Sequence, residues 1–136
     1  MAKNSRQPQR QEIANVKRGE IYRVSFDPTV GHEIRKARPA LIIQNDIGNR
    51  YSPLSIVAAI TSKLSLLPYP VEAVIEPSRT DGLDARSAIR LDQIRTVDRQ
   101  RLIKRLGVID PGTMAKVNQA IQISLGLIDV SEPRRG

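Results

Sequence analysis

The sequence predicts a small α+β fold, in which a series of β-strands is followed by one C-terminal helix. The chain has 136 residues, 40% of them apolar, which suits one folded domain with a sizeable core. Short apolar or alternating segments occupy most of the chain before residue 109, as expected for strands. Apolar residues then recur at helical spacing after residue 110. Strands first and a helix last favour a barrel-like sheet with that helix packed on it.

The first half of the domain is predicted to hold three strands. Residues 20–26 alternate polar and apolar side chains, which is the pattern of a half-buried strand. Residues 40–43 and 54–60 are almost continuously apolar and predict buried strands, and Pro39 is tolerated only at a strand start or edge. The turn-forming residues 45–49 follow the first of these buried strands.

The second half is predicted to hold three more strands and a helical turn. The strands are 71–75, 87–97 and 103–108, and a long polar loop over 77–86 separates the first two. Asp98 predicts the N-cap of a short helical turn that ends at Arg101.

The C-terminal helix has the clearest signals in the sequence. Asp110 is a good N-cap, and Pro111 suits the first helical position. The apolar stripe that follows consists of Met114, Val117, Ile121, Leu125 and Ile128. Ile123 and Leu127 add apolar surface beside the stripe. This surface is predicted either to pack on a second subunit or to cover the end of the barrel.

The predicted domain covers residues 17–128, between a flexible basic tail at 1–16 and a short tail at 129–136. The N-terminus lacks the apolar core of a secretory signal, and no apolar run approaches the ~20 residues of a membrane span. The chain has no cysteine, which excludes disulfides, zinc–thiolate sites and thiol nucleophiles. We therefore expect a soluble, cytoplasmic protein with no membrane partner.

The charge balance indicates an anionic partner. The formal net charge is +8; the segment 1–15 carries +2 of it and 129–136 is balanced, so +6 lies on 16–128. A whole small domain this basic favours nucleic acid or an acidic protein as partner. With one Phe, three Tyr and no Trp, an aromatic platform for base stacking is poorly supported.

The segment 31–39 gathers reactive groups immediately before a buried strand. It contains the only histidine, one carboxylate and three cations, namely His32, Glu33, Arg35, Lys36 and Arg38. A loop anchored by a strand is a usual place for binding and catalytic groups, and this combination suits a phosphodiester. A planar guanidinium binds two phosphate oxygens at once. Arg38 is therefore predicted either to bind phosphate or to pair structurally with Glu33 or a carbonyl.

Several motifs, in this order, resemble the MazF/PemK family of toxin endoribonucleases. They are Lys17–Tyr22, Asp27–Glu33, Arg38–Asp46, Ile56–Ser62, Leu91–Arg99 and Ile123–Leu125. The resemblance covers about residues 17–128. It implies a small SH3-like barrel of the CcdB/MazF type with a C-terminal α-helix, found as a homodimer.

The resemblance also implies an activity and two catalytic residues. Such toxins cleave single-stranded RNA at short sequences without a metal or cofactor, leave 2′,3′-cyclic phosphate and 5′-hydroxyl ends, and are neutralised by a cognate MazE-like antitoxin. The family's catalytic arginine and threonine fall on Arg38 and Thr61. A guanidinium stays protonated, so Arg38 suits stabilisation of charge at phosphorus better than proton transfer. The Thr61 hydroxyl would donate to a phosphate oxygen, and Ser62 is a weaker neighbour of the same type.

The sequence does not decide which residues transfer the protons. Glu33 either accepts the 2′-hydroxyl proton or holds Arg35 or Arg38 in place. His32, with an unperturbed pKa of ~6.5, is either a general acid or base or a solvated bystander. Carboxylates are not clustered as a two-metal nuclease requires, and one histidine cannot assemble a metal site, so no metal is expected.

Other residues are predicted to bind RNA without reacting. Arg35 and Lys36 should contact phosphates and raise affinity without reading sequence. Gln93 is predicted either to hydrogen-bond a base edge or to serve as a cross-strand structural residue.

Two non-enzymatic functions remain as alternatives. One is a CcdB-like gyrase poison, and the other is a nucleic-acid-binding module of the same fold. Because a gyrase poison needs no pair of phosphate-handling residues, Arg38 and Thr61 favour the ribonuclease.

Overall fold

The computed structural model describes residues 13–26, 37–64 and 70–130, which contain six β-strands, two α-helices and one 3-10 helix. The strands are β1 Glu20–Ser25, β2 Ala37–Ile42, β3 Leu54–Thr61, β4 Glu72–Ile75, β5 Ser87–Asp98 and β6 Leu102–Val108. The α-helices are α1 Asp46–Tyr51 and α2 Pro111–Ser124, and a 3-10 helix spans Arg99–Arg101.

The strands form one antiparallel sheet in the order β4-β5-β3-β2-β1-β6. The predicted α+β fold, with strands first and a C-terminal helix, is confirmed. Every strand predicted in the described residues is present, and the helical turn capped by Asp98 is the 3-10 helix.

A loop joins the two edges of this sheet and gives it a barrel-like form. Within the described residues β4 and β6 share no ladder, but the Val108 amide of β6 donates to the Thr80 carbonyl at 2.8 Å. The backbones approach so closely that a Cβ on Gly82, which has φ +71°, would collide with the Leu106 carbonyl. A Cβ on Gly107 would likewise collide with the Thr80 carbonyl. The sheet itself stays open, and the loop bridges its edges through these glycine contacts, because any side chain there would separate the loop from β6.

The core consists of two aliphatic clusters on opposite faces of the strands, as alternation along a strand requires. In β1, Ile21 belongs to one cluster and Tyr22 to the other. The first cluster includes Val117 and Ala120 of α2. The second includes Val16, which is 2% exposed. Residues 1–12 lie outside the described part, so the predicted N-terminal tail stays a prediction.

The helix α2 begins as predicted and ends earlier than its apolar stripe. The Asp110 carboxylate accepts from the Thr113 amide at 2.6 Å, and Pro111 is the first helical residue. The helix stops at Ser124, and Gly126 adopts φ +75° while its amide donates to the Ile123 carbonyl. The C-terminal part of the stripe, Leu125 and Ile128, is therefore not helical and is exposed.

Residues 45–49, predicted to be a turn, instead start a helix. Asn45 is its N-cap and accepts from the Gly48 amide at 2.7 Å, so α1 forms one and a half turns. The prediction was wrong because the same Asn and Asp residues favour turns and helix starts equally well.

No helix in the described ranges has the length and apolar character needed to span a membrane.

Candidate active site

The predicted catalytic pair lies where the start of β2 meets the end of β3. Ala40 of β2 pairs with Ala59 of β3 in an antiparallel register. The ladder between the two strands ends at this pair, and Arg38 lies two residues before Ala40 on β2 while Thr61 lies two residues after Ala59 on β3. Arg38 is exposed and Thr61 half-buried. Both side chains line the same two cavities, so residues 23 positions apart in sequence reach one site.

Two open cavities meet at this pair, and both are lined by Arg38 and Thr61. The first cavity has a volume of about 420 Å³ and also contains Ser62, Lys63 and Asp84. The second cavity has a volume of about 630 Å³. Its further polar or aromatic lining consists of Phe26, Lys63, Arg90, Asp92, Gln93 and Arg95.

The Thr61 hydroxyl is oriented by the turn that follows β3. Its oxygen accepts from the Lys63 amide at 3.1 Å. Accepting this bond leaves the hydroxyl hydrogen available as a donor. The arrangement presents a neutral donor beside the cationic Arg38 at the junction of the cavities.

Cations without acidic partners dominate the rim of the first cavity. Arg23, Arg38 and Lys63 line it, and none of the three forms an ion pair within the part of the chain described. Asp84 is the one carboxylate among the lining residues of this cavity. A cavity lined by three cations and one carboxylate attracts anions.

The wall of the second cavity is shaped by a bulge in β5. Ala58 of β3 pairs with Ile94, whereas Ala59 pairs with Arg90. Residues 91–93 therefore have no partner on β3, and β5 bends there. Gln93 lies in this bulge and lines the cavity, so it has no cross-strand partner on β3.

An internal ion pair fixes the polar groups of the second cavity. Arg90 donates to Asp92 through two bonds, from Nε at 2.9 Å and from Nη2 at 2.8 Å. The hydrogen bond from Arg90 lowers the pKa of the Asp92 carboxyl below its usual value. Glu72 lies 4.0 Å from Arg90 Nε. Opposite them, the Arg95 guanidinium lies 4.9 Å from the centre of the Phe26 ring, a cation–π contact.

The structure brings together four of the eight predicted site residues: Arg38, Thr61, Ser62 and Gln93. The other four, His32, Glu33, Arg35 and Lys36, lie outside the described residues. Sequence reasoning missed Lys63, Arg90 and Arg95 as cavity residues. Lys63 follows Thr61 directly, and a weak signal for the other two was their position at polar sites of an alternating strand.

A metal site is not formed by the residues described. No three His, Cys, Asp or Glu side chains cluster among residues 13–26, 37–64 and 70–130.

A known protein family matches most of this chain. The family described as "PemK-like, MazF-like toxin of type II toxin-antitoxin system" matches residues 17–125. Endoribonuclease EndoA of Bacillus subtilis (strain 168) is 48% identical over 114 residues, which are 84% of this chain and 97% of that protein. Endoribonuclease MazF of Staphylococcus saprophyticus is 46% identical over 112 residues, 82% of this chain and 92% of that protein.

A solved structure agrees with the fold. A mycobacterial endoribonuclease in complex with its cognate antitoxin superimposes with a TM-score of 0.65 and 27% identity, over 84% of this chain and 96% of that one. The family match covers nearly all of the folded domain, and both relatives share almost half of its residues. The chain therefore belongs to the PemK-like, MazF-like toxins of type II toxin–antitoxin systems.

Proposed function

We propose that this protein is a toxin endoribonuclease that cleaves single-stranded RNA without a metal ion. The observation that carries the proposal is that Arg38 and Thr61 both line the two open cavities that meet at the ends of β2 and β3. Its relatives EndoA and MazF are named endoribonucleases, which supports the same reaction class.

The proposed reaction uses the RNA as its own nucleophile. The 2′-hydroxyl loses its proton and its oxygen bonds to phosphorus, while the bond from phosphorus to the 5′-oxygen breaks and that oxygen takes up a proton. The products are a 2′,3′-cyclic phosphate and a 5′-hydroxyl. Negative charge grows on the non-bridging oxygens during this step, so donors fixed beside the phosphate accelerate it.

Arg38 and Thr61 are the donors for that charge. The Arg38 fork can donate to two phosphate oxygens, and the Thr61 hydroxyl hydrogen can donate to one of them. Glu33 or His32 is proposed to exchange the protons, on the sequence argument alone. Arg35, Lys36 and Ser62 are proposed to hold neighbouring phosphates.

The second cavity is proposed to bind a base next to the scissile phosphate. Its volume of about 630 Å³ admits a nucleobase, and its polar groups are held by the Arg90–Asp92 pair. The Gln93 amide, carried by the bulge of β5, both donates and accepts, as reading a base edge requires. Base discrimination would then rest on hydrogen bonds, with Phe26 as the one aromatic side chain among the lining residues of this cavity.

Two partners follow from the family and from surface features. An antitoxin is proposed because the chain belongs to a type II toxin family and a structural relative was solved with its cognate antitoxin. A homodimer is proposed because four apolar side chains are exposed within the six residues after α2, namely Leu125, Leu127, Ile128 and Val130. RNA as substrate places the activity in the cytoplasm.

The test is an RNA cleavage assay in excess EDTA with end-group analysis of the products. Wild type should release fragments ending in 2′,3′-cyclic phosphate, and Arg38→Ala should not. Arg79→Ala is the matched control, because Arg79 is also exposed and lines neither cavity. Folded wild type that cuts no long mixed-sequence RNA would contradict the proposal. Inhibition of gyrase by that protein, or RNA binding without products, would favour the two non-enzymatic alternatives.

A further inference from the structure

The end of the helix α2 is bonded to the bulge of β5. The hydroxyl of Ser124, the last residue of α2, donates to the Leu91 carbonyl at 2.7 Å, across 33 positions of sequence. Leu91 is the first of the bulge residues 91–93, which have no partner on β3. A serine in a helix often donates to a carbonyl one turn earlier in the same helix. Here the bond is tertiary, and it connects the helix directly to the wall of the second cavity.

The bulge changes which residues of β5 face the core. Residues two apart in a regular strand share a face, so Gln93 would point the same way as Ile89 and Leu91. Ile89 and Leu91 are buried in the first cluster, but Gln93 is exposed and lines the second cavity. Ile94 packs against the first cluster in its place. The alternation therefore shifts by one residue after Leu91, and both Asp92 and Gln93 are presented to the cavity.

Leu91 is the point at which β5 leaves the regular strand, and it is held through three groups. Its side chain is fully buried in the first cluster. Its amide donates to the Val71 carbonyl at 2.8 Å, and its carbonyl accepts from Ser124. Because a peptide unit is planar, fixing the Leu91 carbonyl also fixes the orientation of the bond that leads to Asp92. The Ser124 bond thus sets the direction in which the bulge begins.

Ser124 is a suitable anchor because the helix that carries it is itself held in place. The helix packs on the sheet through Val117 and Ala120, which belong to the first cluster. It ends at Gly126, which has φ +75° and whose amide donates to the Ile123 carbonyl at 3.1 Å. A hydroxyl on a packed helix with a defined end occupies one position relative to the sheet.

Reading a base edge requires the Gln93 amide to be in one place. A hydrogen bond depends steeply on distance and angle, and a group that must first be ordered contributes less to affinity. The Arg90–Asp92 pair orders side chains within β5. The bond from Ser124 to Leu91 acts on the backbone of the bulge and ties it to a different element. The two contacts together hold the wall of the cavity.

We propose that Ser124 is a positioning residue for base recognition in the second cavity. By holding the Leu91 carbonyl, its hydroxyl fixes the place from which Gln93 meets a nucleobase. Ser124 lines neither cavity, so it acts through Leu91 and not on the RNA. The inference rests on the proposed function, since it requires that the second cavity bind a base of the RNA.

The first measurement is the base preference of cleavage. Wild type and Ser124→Ala are incubated with a long mixed-sequence RNA in excess EDTA, and the fragment ends are mapped by sequencing. The ratio of cleavage rates between preferred sites and sites that differ by one base should fall about twofold to tenfold in Ser124→Ala, as for one lost neutral hydrogen bond. Alanine is the stronger helix former, so the variant should fold.

Two variants separate positioning from a general effect on the helix. Ser124→Thr keeps a hydroxyl and should recover most of the base preference. Asn118→Ala removes another bond between α2 and the rest of the domain, in which Arg18 Nη2 donates to Asn118 Oδ1 at 2.9 Å. This bond does not involve the bulge, so Asn118→Ala should keep the preference of wild type.

The second measurement examines the bulge without RNA, by NMR of the full ¹⁵N-labelled chain. Hydrogen exchange of the Leu91 amide reports the opening of its bond to Val71. Exchange at Leu91 should be about twofold to tenfold faster in Ser124→Ala than in Asn118→Ala. The amide signals of Asp92 and Gln93 should move in Ser124→Ala and stay in place in Asn118→Ala.

The outcomes distinguish this inference from the proposed function. Wild type that cleaves RNA, with the same base preference in Ser124→Ala, would overturn the inference and leave the proposed function standing. An equal loss of preference in Asn118→Ala or in Ser124→Thr would overturn it too, as would equal exchange of the Leu91 amide in Ser124→Ala and Asn118→Ala. Folded wild type that cuts no RNA would overturn the proposed function and, with it, this inference.

Discussion

The two ends of β3 differ in whether the polar side chains near them have partners within the protein. At the Thr61 end, Arg23, Arg38 and Lys63 face open cavities without acidic partners among the described residues. At the Leu54 end, the buried Asn49 of α1 satisfies its side chain completely. Its Oδ1 accepts from Gln44 and Ser55 at 2.9 and 2.8 Å, and its Nδ2 donates to the Gln44 carbonyl at 2.9 Å. The Thr61 end therefore has hydrogen-bond donors available for a ligand, whereas at the Leu54 end nearly all donors are bonded within the protein.

This difference teaches where substitutions should affect function and where they should affect stability. Unpartnered exposed donors contribute little to folding but much to binding of an anion. A saturated buried network contributes to folding and nothing to ligand chemistry. Arg99 is the exception at the Leu54 end, because its buried donors are unpaired.

The largest effect should come from Arg38. We expect Arg38→Ala to lower kcat for RNA cleavage by roughly 10²- to 10³-fold, the usual loss when a donor to transition-state charge is removed. Since the side chain is exposed, the free energy of unfolding should change by less than about 0.5 kcal/mol. Single-turnover cleavage and urea denaturation measure the two quantities. An Arg38→Ala protein that is destabilised and yet fully active would show that this side chain serves folding and not catalysis.

Asn49 tests the other end. Asn49→Ala leaves Ser55 and Gln44 with unpaired groups in a buried site, so the free energy of unfolding should fall by about 2–4 kcal/mol. Cleavage at a temperature where the variant is folded should be unchanged. Gln119→Ala, an exposed change on α2, is the control for denaturation and should stay near wild type. Loss of activity in a folded Asn49→Ala protein would show that the two ends are coupled.

Thr61 should give a smaller loss than Arg38. Thr61→Val keeps the shape of the side chain and removes one neutral donor, and we expect kcat to fall about tenfold, as for a hydrogen bond worth 1.4 kcal/mol. Thr61→Ser retains the hydroxyl and should keep most of the activity. Equal kcat values for the Thr61→Val and Thr61→Ser variants would show that the hydroxyl takes no part in the reaction.

The smallest effect is a pH dependence at the Leu54 end. The pKa of Asp46 is lowered in the folded chain, chiefly by the hydrogen bond from the Arg18 amide. A lowered pKa stabilises the fold above the unfolded value of 3.8, and this contribution is lost as the pH falls through the folded value. The difference in unfolding free energy between wild type and Asp46→Asn should therefore shrink as the pH falls below about 4. A difference independent of pH would show that the carboxylate charge is irrelevant.

Sequence patterns predicted most of the fold because most of it depends on local chemistry. Alternation and apolar runs identified the strands, and Asp110 with Pro111 identified the start of α2. The helix α1 was missed because six residues are too few to show a helical period. The bulge at 91–93 was missed because it is a relation between β5 and β3, which no single segment encodes.

The sequence predicted several of the residues that form the site, but not how they are arranged in space. Motif resemblance selected Arg38 and Thr61, and the packing of β2 beside β3, which depends on the whole sheet, places both in the lining of the same cavities. Arg90 and Asp92 illustrate the limit, since alternation puts them on one face of β5 but does not show the two hydrogen bonds that join them. The small cavity lined by Lys17, Asp46, Arg50 and Arg99 gave no sequence signal, because its residues come from three separate segments of the chain.

The glycine contacts between the 76–86 loop and β6 divide this loop into two parts that should tolerate substitution differently. Thr80 and Gly82 are held against β6, and Leu83 packs against the first core cluster. Asp84 and Ala85, which follow, are exposed and line the first cavity. Substitutions at 80, 82 and 83 should therefore be removed by selection for folding. Substitutions at 84 and 85 should change the cavity wall and leave the packing of the sheet intact.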